Sequence, residues 1–402
     1  MTPPTARLSQ LEFVALIAMI MATVAFSIDA MLPALPAIAA ELSPDAPNRA
    51  QLIVTSFVLG MGLGTFFTGP LSDWFGRKPV MIAGALIYCI AALFAWAAPT
   101  LEALLAARLL MGLGAAGPRV VVQALVRDLY TGRDMARIMS FAMLIFALVP
   151  ALAPSIGMII IAFAGWHAVF LAFVAFSGVT VVWLGLRQPE TLTPALRRPL
   201  RFGPIFAAAG EVLRHPTTRL SIFIQTLAMG MLFAVISSTQ QVFDLTYGQG
   251  AQFHLWFGGI AILAASASLL NARIVGRLGM RPIIKVTFLM QVGASALMIT
   301  AVFAGLPNQI ELLVYAAWTL TVFFQVGMTL GNLNALAMEP MGHIAGTAAS
   351  VIVSVSTIGA VAIAAPVGLA FDGTPLPLAL ACMICAAIAF WLTTLIRRDS
   401  DG

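Results

Sequence analysis

Twelve apolar runs, each at least 20 residues long, constrain the fold of this chain more than any other feature. A helix needs about 20 apolar residues to cross the hydrocarbon of a bilayer. Lipid offers no hydrogen-bond partner, so such a segment must satisfy its backbone internally, as an α-helix. The sequence therefore predicts an all-α membrane protein. The predicted spans are 13–38, 52–71, 79–98, 102–125, 137–163, 166–186, 219–243, 253–275, 282–303, 310–335, 345–370 and 377–396.

The overall composition agrees with lipid as the main solvent. Hydrophobic residues make up 61% of the chain and charged residues only 9%, whereas soluble domains carry about 25% charged residues. The net charge of +5 would suit a nucleic-acid-binding protein. The location of the basic residues decides that question.

Lysine and arginine are distributed unevenly between the two sides of the predicted spans. If the N-terminus is cytoplasmic, eighteen of the 21 lie in cytoplasmic segments or at the cytoplasmic ends of spans, and one, Arg49, lies outside. The other two, Arg108 and Arg119, lie within a span. Cytoplasmic loops of membrane proteins carry this excess of positive charge. We therefore predict that both termini are cytoplasmic and that the chain has no nucleic-acid partner.

The longest and most polar interval between runs separates the sixth span from the seventh. It contains Q-P-E-T-L-T-P-A-L-R-R-P-L-R-F, with three prolines and three arginines. We predict an N-terminal six-helix bundle at 1–186, a cytoplasmic basic linker at 187–218 and a C-terminal six-helix bundle at 219–402. Within the linker, 203–215 has the pattern of a short amphipathic helix.

Two loops at equivalent places in the two halves are similar in sequence. Residues 69–80 and 272–283 share a glycine, a basic residue and a proline at matching positions, namely Gly76 with Gly279, Lys78 with Arg281 and Pro79 with Pro282. Internal repeats of this kind are common in transporters. The pattern indicates a duplication.

The first of these loops also resembles a known family signature. Gly69-x-Leu71-Ser72-Asp73-x-x-Gly76-Arg77-Lys78-Pro79 resembles the loop motif of the major facilitator superfamily. The resemblance implies the major facilitator fold, with twelve transmembrane helices in two six-helix bundles around a central cavity. Further segments resemble the Bcr/CflA-like drug:proton antiporter subfamily, most densely over 24–190: Ser27-Ile28-Asp29-x-x-Leu32-Pro33-Ala34-Leu35-Pro36, Arg108-Leu109-x-x-Gly112-x-Gly114-Ala115-Ala116, Val126-Arg127-Asp128-Leu129-Tyr130, Pro150-Ala151-Leu152-Ala153-Pro154-x-x-Gly157 and Pro189-Glu190-Thr191-Leu192.

The loop motif is predicted to act at the cytoplasmic side of the membrane. Its glycines allow a tight turn, and Asp73 can pair with a cation or with the positive N-terminus of a helix. Positive-inside topology alone would explain the basic residues but not Asp73 or the glycine spacing. The resemblance implies a charge latch, the cytoplasmic gate motif, formed by Gly69, Asp73, Gly76, Arg77 and Lys78.

Two arginines lie within the fourth span, where a charge costs on the order of 3 kcal/mol. Arg108 and Arg119 are eleven residues apart, which is about three helical turns, so they share one face with Gly112 and Gln123. Each must face protein or water and find a partner. For each arginine, extension of the long side chain to the nearer membrane surface is the alternative.

Asp29 is the only acid predicted to lie within a span. Its depth is similar to that of Arg108, and the resemblance implies that their helices line one cavity. Burial favours the protonated acid and a nearby arginine favours the carboxylate; a proton-coupled carrier requires a balance that substrate can tip. We predict that Asp29 and Arg108 are proton-coupling residues. The alternative is a solvated acid at the outer end of a helix that Pro33 terminates.

The fifth span carries two prolines four residues apart. Pro150 and Pro154 are expected to bend this helix, and Gly157 permits close contact with a neighbour. In the second span, Gly60, Gly62 and Gly64 indicate either another close contact or ordinary packing.

Polar and aromatic residues of several spans are candidates for lining the cavity. Each aromatic side chain has an alternative position against lipid or in the protein core. The candidates are Phe26, Arg119, Gln123, Phe141, Phe146, Gln225, Phe233, Gln325 and Asn332.

No pattern in the sequence indicates a cofactor. The four histidines show no metal spacing, Cys382 and Cys385 are expected to be packed thiols, and no G-x-x-x-x-G-K-[ST] loop is found. We expect protons as the coupling ion, no other cofactor and no enzymatic activity.

The leading hypothesis is a proton-coupled secondary exporter of small, largely apolar drugs or toxic compounds in the cytoplasmic (inner) membrane of a bacterium. The two halves would expose the substrate alternately to each side. The alternative is a proton-coupled carrier dedicated to one physiological metabolite, such as an amino acid or sugar derivative. In either case we expect a small-molecule substrate, the lipid bilayer as surroundings, no obligate protein partner and a functional monomer.

Overall fold

Helices form nearly all of the described chain. The computed structural model describes residues 8–197, 199–200 and 202–396; the side chains at 136, 144–147, 202, 204 and 205 lie outside the description. No strand occurs in these ranges, so the predicted all-α architecture is confirmed. Short polar side chains cap the first turns of the helices that begin at Gln10 and Leu101. Ser9 Oγ accepts a hydrogen bond from Glu12 N at 3.2 Å, and Thr100 Oγ1 accepts one from Ala103 N at 3.3 Å.

The first part of the chain contains six long helices and one short one. The short helix follows the first long helix and precedes a helical turn at Pro47–Gln51. The helices are α1 Gln10–Asp29, α2 Leu35–Leu42, α3 Leu52–Phe75, α4 Arg77–Trp96, α5 Leu101–Leu129, α6 Gly132–Ala164 and α7 His167–Arg187.

The second part repeats this count, with its short helix at the beginning. This helix, α8, coincides with the predicted amphipathic segment at 203–215. The helices are α8 Phe202–Arg214, α9 Pro216–Gln241, α10 Phe253–Leu278, α11 Met280–Phe303, α12 Asn308–Met338, α13 Ala345–Leu369 and α14 Leu376–Thr394.

Of the fourteen helices in the described residues, twelve are long enough to cross a membrane. A search by length and hydropathy over the described residues gives eleven candidate spans, because it treats Asn308–Leu369 as one run of 62 residues. That run contains a break at Met341, whose φ of −104° and ψ of 19° are not helical. Since α12 and α13 are separate helices on either side of the break, the prediction of twelve spans is confirmed.

The first span is not one regular helix. The predicted run 13–38 lies within the candidate span Gln10–Leu42, but α1 ends at Asp29. A short helical turn at Leu32–Ala34 follows, with Pro33 inside it. Proline has no N–H to donate and blocks the preceding turn, so apolar composition alone does not extend the helix.

The helices group into two compact units. The first comprises Met1–Ile38 and Ser56–Pro204, and the second comprises Ala39–Thr55 and Ile205–Gly402. Residues 39–55 therefore belong to the second unit although they precede most of the first in sequence. The division at 187–218 that the sequence indicated stays a prediction.

Close helix packing in the first unit depends on glycine. A Cβ on Gly60 or on Gly112 would overlap the backbone of the facing helix, so α3 and α5 touch through their main chains. A Cβ on Gly114 would lie 2.5 Å from Gly84 O, which brings α4 equally close to α5. Small residues allow this approach where no hydrophobic force drives helices together within lipid. Of the two alternatives for the glycines of the second span, close contact is correct at Gly60.

The predicted repeat has a counterpart in the backbone. Gly76 separates α3 from α4 with φ 110° and ψ 161°, and Gly279 separates α10 from α11 with φ 80° and ψ 161°. Positive φ values of this kind are open to glycine and strained for other residues. The same turn therefore joins the corresponding pair of helices in each unit.

Candidate functional site

Asp29 lies at the last position of α1 and is buried, with 4% of its surface exposed. It is the only carboxylate among the buried side chains of the described residues. Within that part of the chain its carboxylate forms no hydrogen bond and no ion pair. The solvated position that the sequence left open is therefore wrong.

Arg108 lies on α5 and is fully buried against α1 and α3. One guanidinium nitrogen donates to Ser27 O at 3.1 Å, and its central carbon lies 4.5 Å from the centroid of the Phe57 ring. A third contact is with Met111 Sδ at 4.0 Å. Arg108 thus joins three helices through one cation.

The structure brings Asp29 and Arg108 onto neighbouring helices without pairing their charges. The carbonyl that Arg108 binds belongs to Ser27, two residues before Asp29. Two residues rotate a helix by about 200°, so the side chains of Ser27 and Asp29 leave α1 on nearly opposite sides. Similar depth was predictable from the sequence; the direction of each side chain was not.

A hydrogen-bonded hydroxyl pair lies beside this arginine. Ser27 Oγ is bonded to the Tyr88 hydroxyl of α4 and donates to Thr23 O at 2.8 Å. Tyr88 also borders a small cavity between α1, α4, α5 and α7, together with Ser177 and Thr180. These polar groups connect Arg108 to the interior of the first unit, and no sequence motif contained Tyr88.

The loop motif forms a network centred on Arg77. Its guanidinium binds Asp73 Oδ1 at 2.5 Å, Asp128 Oδ2 at 3.1 Å and Ser72 Oγ at 2.8 Å. The ionic partner that the sequence assigned to Asp73 is thus the arginine four residues later. Asp128 comes from the end of α5, so the network fixes the α3–α4 turn to a third helix.

The remaining motif residues hold the turn itself in place. Lys78 Nζ donates to Gly185 O at 2.7 Å, near the end of α7. Gly69 O accepts from Ser72 Oγ at 2.9 Å. A Cβ on Gly76 would lie 2.5 Å from Glu190 Oε2, so this glycine is required for contact as well as for its positive φ.

Glu190 is the residue of this network that sequence reasoning missed. Its Oε1 accepts from Arg77 N at 3.0 Å and its Oε2 from Lys78 N at 3.1 Å. Oε1 also accepts from Thr191 N and Leu192 N, both at 2.9 Å. A carboxylate in this position accepts hydrogen bonds from the first N–H groups of α4 and interacts favourably with the positive end of the helix dipole. The signal was present, since Glu190 belongs to a segment of the family resemblance, but its partner is more than a hundred residues away.

Arg119 is half-buried on α5, and Arg119 Nη1 lies 2.9 Å from Met61 Sδ of α3. Gln123, one turn further along, is exposed. Phe141 on α6 is also exposed, with the Arg137 guanidinium 6.0 Å from its ring centroid. The side chain of Phe146 lies outside the described residues.

Phe26 occupies the helix-packing position that was its alternative. It packs against Phe173 and Phe176 of α7, with both ring centroids 5.3 Å away. Only 8% of its surface is exposed. In the first unit, aromatic packing between α1 and α7 accounts for this residue.

The three polar candidates of the second unit are buried between helices. Gln325 on α12 donates to Ala228 O of α9 at 3.2 Å, and Asn332 donates to Asn271 Oδ1 of α10 at 2.8 Å. Gln225, on α9, is also buried, and its Oε1 has no hydrogen-bond partner among the described residues. Phe233 is likewise buried on α9. Gln325 and Asn332 thus hold helices together within the unit.

α6 continues as one α-helix through both Pro150 and Pro154, from Gly132 to Ala164. Gly157 lies against the end of α1, where a Cβ would overlap the carbonyl of Ala30. The bend expected from the prolines stays a prediction. The close contact places α6 directly beside the residue that follows Asp29.

A second polar cluster, absent from the sequence interpretation, joins the 39–55 segment to other elements of the second unit. Gln51 binds the side chain of Gln241, and Ser238 Oγ donates to Gln51 Oε1 at 2.7 Å. Gln241 Nε2 donates to Asn48 Oδ1 at 2.7 Å, and Asn48 Nδ2 donates to Phe371 O at 2.8 Å. The segment is thereby fastened to α9 and to the end of α13.

The described residues contain no group of three or more His, Cys, Asp or Glu side chains that could hold a metal. The three cysteines are unpaired thiols.

The fold and these buried charges define a multi-pass α-helical membrane protein built from two related units. A sequence profile of the Major Facilitator Superfamily matches residues 15–365. The chain belongs to the major facilitator superfamily.

Relatives of the chain refine that assignment. The bicyclomycin resistance protein homolog of Haemophilus influenzae is 30% identical over 390 residues, covering 94% of each chain. The chloramphenicol resistance protein of Pseudomonas aeruginosa is 27% identical over 393 residues, covering 93% of this chain and 88% of the relative. The predicted resemblance to the Bcr/CflA-like subfamily is confirmed.

A solved structure supports the fold. The crystal structure of a D-xylose-proton symporter superposes with a TM-score of 0.76 over 98% of this chain and 99% of the other, at 14% identity. At this identity the similarity concerns the fold alone.

Proposed function

We propose that this chain is a proton-coupled secondary exporter of small, largely apolar drugs or toxic compounds. The observation that carries the proposal is Asp29, a single buried carboxylate without an ion-pair partner among the described residues. A buried acid of this kind can exchange a proton when its surroundings change. The names of the two relatives, which refer to bicyclomycin and chloramphenicol resistance, support drugs as the class of substrate.

Arg108 is proposed to act with Asp29 through α1. It is anchored on Ser27 O, so a shift of α1 relative to α5 changes the surroundings of both residues. Protonation of Asp29 would then be linked to the arrangement of these helices. Coupling through a shared helix needs no direct ion pair.

The network around Arg77 is proposed to act as a latch at the cytoplasmic side. It holds the α3–α4 turn to α5 through Asp128 and to the segment after α7 through Glu190. Several charge-assisted hydrogen bonds converge on this turn. The turn, the end of α5 and the segment after α7 are therefore proposed to move together. The other motif members, Gly69, Asp73, Gly76 and Lys78, shape that turn.

We further propose the cellular setting. The chain lies in the cytoplasmic membrane of a bacterium with both termini inside, as its lysine and arginine distribution favours. It works as a monomer without an obligate protein partner, carries out no covalent reaction and uses protons as its only coupling ion.

Everted vesicles from a host that lacks its own drug exporters provide the test, with labelled chloramphenicol as the probe. An imposed proton gradient, acidic inside, is expected to drive uptake into vesicles that contain the protein. Asp29→Asn is expected to reduce that uptake to the level of vesicles without the protein. Asp372→Asn, which alters an exposed acid, is the matched control and is expected to keep it.

Two results would contradict the proposal. Proton-driven uptake by Asp29→Asn at the wild-type rate would remove Asp29 from the coupling mechanism. A screen of killing concentrations across drug classes that finds no protection by the expressed protein would favour a carrier dedicated to one metabolite.

A further inference from the structure

Arg119 differs from the other arginines described above in what it binds. Arg77 binds two carboxylates, Arg187 binds both oxygens of Glu12 at 2.9 Å, and Arg108 binds a backbone carbonyl. For Arg119, the hydrogen-bond partner in the described part of the chain is the sulfur of Met61. A thioether is a weak acceptor, so this cation has no anionic counterpart there.

The position of Arg119 excludes extension to the nearer end of its helix. Met61 lies level with Gly112, since a Cβ on Gly112 would be 2.8 Å from Met61 N. Gly112 precedes Arg119 by seven residues, or about 10 Å of helix. The guanidinium therefore points toward the Leu101 end of α5, the direction in which helical side chains lean. It remains at mid-depth instead of reaching the Leu129 end.

An arginine at this depth is costly unless something offsets its charge. Insertion into the centre of a membrane costs on the order of 3 kcal/mol for arginine. The guanidinium has five N–H donors, and one contact with sulfur leaves most of them available. No nitrogen of Arg119 is among the buried side-chain atoms that lack a partner, and the residue is only half-buried. Its remaining donors thus face space that a small molecule can reach.

We propose that Arg119 binds a carboxylate, or a similar planar oxyanion, carried by the transported compound. Two parallel N–H donors of a guanidinium match the two oxygens of a carboxylate, which a lysine cannot reproduce. The inference rests on the proposed export function and adds apolar compounds with one negative group to the substrates of that function.

The test compares two ligands that differ in this one group. Purified protein in detergent is titrated with nalidixate, an apolar drug with a single carboxylate, and with its neutral methyl ester. Wild-type protein is expected to bind nalidixate about 10- to 100-fold more tightly than the ester, the range of charge-assisted hydrogen bonds. Arg119→Met is expected to bind both compounds equally weakly, and Arg119→Lys to keep only part of the preference.

Two further variants separate recognition from a structural role. Arg187→Gln removes an arginine that pairs with Glu12 and is expected to keep the full preference for nalidixate. Met61→Leu removes the sulfur contact, keeps the arginine and is expected to preserve the preference as well.

The outcomes distinguish this inference from the proposed function. Equal binding of nalidixate and its ester by wild-type protein would overturn it, as would an unchanged preference in Arg119→Met. If wild-type protein exports no drug but still prefers nalidixate, the export proposal fails and the site stands.

Discussion

Replacing Glu190 by glutamine tests whether one carboxylate holds the start of α4. Its two oxygens accept four backbone hydrogen bonds, two from Arg77 and Lys78 and two from Thr191 and Leu192. Glutamine has the same shape but only one acceptor oxygen. At least one of the four N–H groups then faces an NH₂ group, and the remaining bonds lose their charge.

The magnitude follows from these contacts. An unsatisfied backbone N–H costs about 1–3 kcal/mol, and Glu190 is half-buried, which favours the lower half of that range. Loss of negative charge at a helix N-terminus adds about 0.3–1 kcal/mol. We expect Glu190→Gln to lower the free energy of unfolding by about 1.3–3 kcal/mol. For a unit of this size, that corresponds to a fall in unfolding temperature of about 3–12 °C. Glu190→Ala, which removes all four acceptors, is expected to cost more.

Thermal unfolding of the purified protein in detergent, followed by tryptophan fluorescence, measures the change. Glu211→Gln is the matched control, since Glu211 forms an exposed pair with His343. Exposed pairs contribute about 0–1 kcal/mol, so the control is expected to shift the midpoint little. If the two variants unfold at the same temperature, Glu190 does not hold the turn and the assignment of its four hydrogen bonds is refuted.

Three further substitutions probe packing and polar contacts by the same unfolding assay. Gly112→Ala is expected to lower the free energy of unfolding by about 1–3 kcal/mol because the added methyl group overlaps the α3 backbone. Gly178→Ala is the control: no atom lies near its added methyl group, and it is expected to stabilise α7 by up to about 1 kcal/mol. Equal effects of the two substitutions would contradict the tight α3–α5 contact. Gln51→Ala leaves Ser238 without its acceptor and is expected to cost about 1–3 kcal/mol, and a neutral result would show that the polar cluster adds nothing. Tyr88→Phe removes one hydroxyl contact and is expected to cost about 0.5–1.5 kcal/mol, so a stabilised variant would contradict that contact.

The fold was largely predictable because the bilayer imposes it. An apolar run of spanning length has one way to satisfy its backbone in lipid, so twelve runs gave twelve long helices. The boundary at Asp29 was missed because the run stays apolar through Pro33, and hydropathy does not detect a helix-ending proline. The grouping of 39–55 with the second unit was also missed. It depends on side-chain hydrogen bonds such as those of Asn48 and Gln51, which carry no periodic pattern.

The candidate site was predictable only where its partners are close in sequence. Asp73 and Arg77 are four residues apart on adjoining helical segments, so their pairing could be expected. Glu190 contacts the same turn although it lies more than a hundred residues later in the sequence. Only the folded chain brings the two together. Phe26 was assigned to a cavity, but the structure places it in aromatic packing with α7. An aromatic residue in an apolar span looks the same in sequence whether its side chain lines a cavity or packs between helices.

The most useful distinction within the membrane is between polar groups that the protein satisfies and those that it leaves open. Gln325 and Asn332 looked like binding residues in sequence, yet each donates to an oxygen of a neighbouring helix. A polar side chain in a membrane helix can form its hydrogen bonds with a neighbouring helix as well as with a ligand. Polarity alone therefore does not identify a binding site. Asp29 lacks a partner of opposite charge in the described residues, and Arg119 contacts only a weak acceptor there. These two groups bear a cost that packing does not offset, so a proton in the first case and an anionic group in the second are the simplest partners that would stabilise them.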